Sequence, residues 1–116
     1  MHEFSIASAV VDTAVRHAAG RRVTVVTVRT GRLRQVVPDS LEFAFGILSR
    51  ETVCEGARLE QEVVPARLGC PCGHETEIDL PVFRCAACGG ADVEVLSGEE
   101  LEVESIEVSE EASCIA

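Results

Sequence analysis

A chain of 116 residues, 47% of them apolar, suits one domain or one domain carrying a small metal-stabilised module. Its formal charge is −10, its ten basic residues are all arginine, and 92–111 holds nine acids and no base, a balance that disfavours nucleic acid as a partner. No stretch approaches the ~20 apolar residues of a membrane span, and Met1-His2-Glu3 lacks the basic start and apolar run of a secretory signal, so the expected location is the cytoplasm.

With no Trp or Tyr, the core must come mainly from Val, Leu, Ile and Ala. Phe4, Ala7, Val11, Ala14, Val15 and Ala18 recur at helical spacing and predict an amphipathic helix over 5–18. Asp12 and Arg16 pair on its other face, and Gly20 stops it. Residues 22–30 are rich in Val and Thr and end at Gly31, which predicts a strand. Pro38 opens a second helix, with Asp39 as N-cap and Glu42 completing a capping box. Leu41, Ala44, Phe45 and Leu48 form its buried stripe, Phe43 and Ile47 widen it, and Gly46 offers close approach to a neighbour.

Residues 57–64 alternate, with Leu59 and Val63 facing one way and Arg58, Glu60 and Glu62 the other, and Pro65 ends this strand. A last strand covers 100–108. Its phase slips between Val103 and Ile106, the mark of a bulge. Residues 109–116 have no pattern and read as a flexible tail. Arg29, Arg32 and Arg34 read as a solvated strand and loop facing the acidic C-terminal segment. The expected fold is α+β: two helices on a three-stranded sheet, with a zinc-ribbon-like module inserted before the last strand. The first domain spans 1–66 plus 95–108, and the module spans 67–94.

Cys70-Pro71-Cys72-Gly73 and Cys85-Ala86-Ala87-Cys88-Gly89 carry the clearest chemistry. A reducing compartment makes close cysteine pairs metal ligands rather than disulfides. Four thiolates satisfy tetrahedral zinc, and a glycine after each pair lets the backbone turn sharply. The module has too little apolar mass to fold unaided, so zinc would supply its folding free energy. Four protein ligands leave no open position, which makes the site structural. His74 is either a replacement ligand or a neighbour of the site. Cys54 reads as a partly buried thiol and Cys114 as part of the tail. The chain offers no nucleophile–base pair, no phosphate loop and no open metal site, and His17 reads as a solvated residue near a helix end; this is not the sequence of an enzyme.

The start of the chain permits a second metal site. The Met1 amine, the His2 amide and the His2 imidazole can close a five-membered and a six-membered chelate. Glu3 can add its carboxylate or its amide nitrogen. Such nitrogen-rich planar ligation suits Ni(II) or Cu(II).

Taken together, MHEFSIA, VVPDSLEFAF, ETVCEGARLE, the two cysteine pairs and LEVESIEV resemble the HypA/HybF family of nickel metallochaperones over nearly the full length. The resemblance implies a nickel-binding domain with an inserted zinc-binding domain. It implies nickel at Met1, His2 and Glu3, and zinc at Cys70, Cys72, Cys85 and Cys88. The first pair departs from the family, which usually shows CxxC where this chain has CxC. The implied role is delivery of nickel during NiFe hydrogenase maturation, with a nickel-handling maturation GTPase and the hydrogenase large subunit precursor as partners; some members also serve urease. The competing reading is a zinc-ribbon adaptor that docks proteins and has no nickel role.

Overall fold

The computed structural model describes residues 2–112, with side chains from His2 to Ser109. In chain order it contains α1 (Glu3–Ala18), β1 (Arg21–Gly31), a single 3-10 turn (Arg32–Arg34), α2 (Pro38–Leu48), β2 (Arg58–Val64), β3 (Ala66–Gly69), β4 (Glu75–Ile78), β5 (Glu94–Ser97) and β6 (Leu101–Ala112). The chain divides into two units. Unit 1 comprises Met1–Arg29, Val36–Glu62 and Glu102–Ala116; unit 2 comprises Thr30–Gln35 and Val63–Leu101. No helix of the described residues is long and apolar enough to cross a membrane.

Unit 1 is built from α1, α2 and a sheet in the order β2-β1-β6. The helix α1 buries Ile6, Ala7, Val10, Val11, Ala14 and Ala18. This face is rotated from the one the sequence spacing suggests. Phe4 and Val15 lie exposed at its margins, while Ile6 and Val10 take the core positions. The physical reason is size: the alanines at 7 and 14 are fully buried on the helix that packs against α2, and small side chains allow close backbone approach. The helix ends where Ala19 and Gly20 turn into the left-handed region at φ 53° and 85°.

At α2 the capping box does not form. Val37, not Asp39, precedes the helix, Pro38 occupies its first turn, and no side chain of the segment caps it. Proline suits this position because it lacks an N–H where the helix has no acceptor for one. Leu41, Ala44 and Phe45 are buried and Leu48 half-buried. Phe43 points outward at 65% exposure, so it does not widen the stripe, and Ile47 is only half-buried. A Cβ on Gly46 would meet open space, so the glycine serves no close approach.

Val23, Val26 and Val28 of β1 complete the core with Leu41, Phe45 and Cys54; Val103, Ile106 and Val108 of β6 pack against it. The half-buried positions of β6 thus slip phase between Val103 and Ile106, as the sequence pattern does. β6 continues to Ala112, four residues past Val108. Cys54 is wholly rather than partly buried, and Cys114 lies outside the described residues. On β2 the alternation holds at Leu59 and fails at Val63, which is exposed while Val64 is buried. Arg29 of β1 ties the three strands electrostatically, with Nε 3.5 Å from Glu62 and Nη1 3.0 Å from Glu102.

Unit 2 holds an antiparallel sheet in the order β4-β3-β5. Arg67, Leu68 and Gly69 of β3 pair with Glu77, Thr76 and Glu75 of β4; on the other side Leu68 and Gly69 meet Val95 and Glu94 of β5. Its buried apolar side chains are only Val64, Ala66, Leu68 and Cys85. Gly31 belongs to this unit: a Cβ there would fall onto the Gly98 carbonyl, and Gly98 itself sits at φ 111°. Arg34 Nε donates to the Glu99 carbonyl at 2.8 Å, and Arg32 lies 3.8 Å from Asp79.

Phe45 is the largest fully buried side chain. Phe45→Ala should therefore destabilise unit 1 by about 3–5 kcal/mol, read as a lowered denaturation midpoint of the helical circular-dichroism signal.

Candidate metal centre

Two tight turns build the four-cysteine cluster. The first sits at the tip of the β3–β4 hairpin, one residue beyond the last paired position at Gly69 and Glu75. There Cys70 N–H donates to the His74 carbonyl at 3.1 Å and Gly73 N–H to the Cys70 carbonyl at 2.8 Å. The second lies before β5, where Cys85 N–H donates to the Gly90 carbonyl and Gly89 N–H to the Cys85 carbonyl, both at 2.9 Å. Gly73 and Gly89 take φ of 92° and 72°, values that side chains with a Cβ resist. The Thr76 hydroxyl accepts the Ala86 N–H at 3.0 Å and ties the two turns together. Nothing in the sequence signalled that role for Thr76.

The sulfur atoms of Cys70, Cys72, Cys85 and Cys88 all lie within 4.8 Å of one another. Cys70 Sγ is 3.6 Å from Cys88 Sγ, and Cys72 Sγ is 3.7 Å from Cys85 Sγ. A tetrahedron with metal–sulfur bonds of about 2.3 Å has edges of about 3.8 Å, so the spacing fits one zinc ion. The CxC pair therefore reaches the same convergence as the CxxC pair. Sulfur reserves its remaining contacts for backbone donors: Gly90 N–H points at Cys88 Sγ at 3.4 Å. The His74 ring is exposed and is not part of the converging set; its backbone carbonyl is what contacts the site.

The electrostatics of the cluster suit a cation. The Cys88 N–H stabilises the Cys85 thiolate, burial opposes it less, the Ala87 N–H and neighbouring thiols add to it, and the pKa falls to about 6. At Cys70 the Cys72 N–H also favours the thiolate. Burial and proton sharing with Cys72, Cys88 and Cys85 outweigh that bond and push the thiol up to about 12. Four thiolates this close cannot all ionise without a positive charge among them.

The N-terminal candidates are placed differently. Met1 lies outside the described residues. His2 is exposed, stands just before α1 at φ −103° and ψ 12°, and its carbonyl accepts the Ile6 N–H at 3.1 Å. Glu3 is buried at 6% exposure, and its Oε2 accepts the Val37 N–H at 3.3 Å. The carboxylate thus caps the start of α2 from α1, where no local side chain does so. The charged chain terminus first, and then the Val37 N–H, hold the Glu3 carboxyl down to about 2, against a small opposing effect of burial. His17 is spent locally, its Nδ1 2.8 Å from the Thr13 carbonyl. Cys54 is a free thiol that burial pushes up, with the Thr52 hydroxyl and Arg22 pulling the other way.

A small helix-on-sheet unit paired with a four-cysteine ribbon defines a two-unit, metal-binding protein. The chain belongs to the HypA family: residues 1–108 match the family described as "Hydrogenase/urease nickel incorporation, metallochaperone, hypA". It is 47% identical over 109 residues to the hydrogenase maturation factor HypA of Geobacter metallireducens, covering 93% of this chain and 99% of that protein. The same factor of Methanothermobacter thermautotrophicus is 38% identical, covering 93% and 97%. Among solved structures, the solution structure of the Ni metallochaperone HypA from Helicobacter pylori superposes with a TM-score of 0.67 at 25% identity, covering 93% of this chain and 97% of that one. A second HypA solution structure gives 0.70 at 25% identity, covering 96% and 98%.

Two outcomes follow from this geometry. Cys85→Ser removes one of the four converging thiols from a unit with few buried side chains, so it should abolish stoichiometric zinc retention and collapse the dispersed amide signals of unit 2, while the helical signal of unit 1 persists. The Glu3 carboxyl is held at about 2, below its ordinary value of 4.5. A depressed pKa gives stability that is complete above pH 4.5 and lost as pH falls toward 2. Glu3→Gln should lower the melting temperature of unit 1 at neutral pH and flatten this part of its acid dependence.

Proposed function

We propose that this protein is a cytoplasmic nickel carrier that captures Ni(II) at its N-terminus and delivers it during NiFe hydrogenase maturation, without catalytic turnover. The family match over residues 1–108 is the observation that carries the reading. The Met1 amine, the His2 amide and imidazole, and Glu3 are the proposed nickel ligands. Exposed His2 supports capture near the surface, where stepwise ligand substitution lets a metal leave for a partner. The engagement of the Glu3 carboxylate with Val37 favours its backbone nitrogen over its carboxylate as donor.

Cys70, Cys72, Cys85 and Cys88 are the proposed ligands of a resident zinc. Their donor set and the 3.6 and 3.7 Å sulfur spacings support it. Zinc there would act structurally, because four thiolates complete its coordination. The proposed delivery partners are a nickel-handling maturation GTPase and the hydrogenase large subunit precursor.

The test is a titration of Ni(II) into untagged, zinc-loaded protein beside His2→Ala. One nickel per chain, with a planar-type absorption spectrum lost in the variant, is the expected result. Equal binding by both proteins, or none by either, would overturn the N-terminal site and favour the adaptor reading.

A further inference from the structure

Two kinds of metal donor meet at the start of this chain, and they favour different ions. Amine, amide and imidazole nitrogens set in a plane suit Ni(II) and Cu(II), whereas a carboxylate oxygen suits harder ions such as Mn(II). Glu3 carries both kinds, a backbone nitrogen and a carboxylate. A nitrogen-only site needs something that keeps the carboxylate elsewhere.

The fold supplies that hold. The Glu3 side chain is 6% exposed, and its Oε2 accepts the Val37 N–H at 3.3 Å. Val37 is fixed from its other side, because its carbonyl accepts the Leu41 N–H at 3.0 Å as α2 begins. A carboxylate that left for a metal would strand this part-buried backbone donor, which is unfavourable.

Two further partners of the carboxylate are groups that the metal itself would take. Besides Val37, the charged chain terminus and the Glu3 N–H engage it. Nickel on the terminal amine and on the Glu3 nitrogen would remove both. Binding there breaks no bond of α1, since its first hydrogen bond runs from the Ile6 N–H to the His2 carbonyl and the earlier N–H groups have no intrahelical acceptor. Of these three donors, the Val37 N–H is the one that metal capture leaves in place.

We propose that the Val37 N–H is a specificity determinant of the nickel site. By keeping the Glu3 carboxylate at the start of α2, it leaves a nitrogen-only donor set that selects ions of planar nitrogen ligation over ions that seek oxygen. The inference rests on the N-terminal nickel reading and adds to it a backbone group 34 positions from Glu3.

The variant that tests it is Val37→Pro, which deletes the donor and leaves Glu3 intact. The Val37 backbone, at φ −86° and ψ 113°, lies near the proline range and suits a residue before Pro38. Its side chain is 52% exposed, so the change disturbs little packing. Ni(II) and Mn(II) are titrated separately into untagged, zinc-loaded wild type and variant. His2→Ala gives the background uptake elsewhere on the protein, and helical circular dichroism verifies folding. The expected result is nickel binding weakened about tenfold or more, with the planar-type absorption reduced, while manganese binding holds or strengthens. Equal weakening of both ions, or an unchanged nickel preference with an unchanged spectrum, would overturn the proposal and leave the nickel reading standing. No planar nickel in the wild type would remove that reading and the inference with it. The wild type alone supplies a second measurement should the variant fail to fold. Planar Ni(II) is diamagnetic, so hydrogen exchange at the Val37 amide can be followed by NMR in the free and nickel-bound protein. Protection in both states is expected, and free exchange in either would overturn the proposal.

Discussion

The convergence of four sulfur atoms is the constraint on which the second half of this molecule depends. Its sheet has strands of only four residues, and its buried apolar set is Val64, Ala66, Leu68 and Cys85. Burial on that scale does not offset the entropy of ordering some forty residues. Two glycine turns and one threonine hydroxyl bring Cys70 to Cys88 and Cys72 to Cys85, the convergence through which a bound metal would supply the missing free energy. The first half needs no such device. Its core of valines, alanines, Leu41 and Phe45 is continuous between two helices and a sheet. Unit 1 thus rests on hydrophobic burial, while unit 2 sets four thiols at a spacing that fits one metal ion.

Where local pattern determines structure, the sequence was readable. The apolar spacing of α1, the β-branched run of β1 and the alternation at Leu59 are short-range signals, and they predicted helices and strands close to where they form. The cysteine cluster was legible for a similar reason, since ligand spacing and the following glycines are local facts. What escaped was set by distant neighbours. The face that α1 buries depends on the approach of α2, so Phe4 and Ile6 were indistinguishable until both helices were in place. The capping of α2 comes from Glu3, 34 residues upstream, which no window around Asp39 contains. The three short strands of unit 2 carry too few residues to show a period.

Glu3 joins the two halves of that lesson. Read in sequence, it is a potential metal donor beside a histidine. Placed in the fold, it is also the residue that satisfies the backbone at the start of α2. Its carboxylate is held by the Val37 N–H, which leaves the backbone nitrogen as the donor proposed for nickel.

The Glu3–Val37 hydrogen bond has a mechanical consequence. One carboxylate on α1 holds the backbone just before α2, so a shift at the start of either helix pulls on the other.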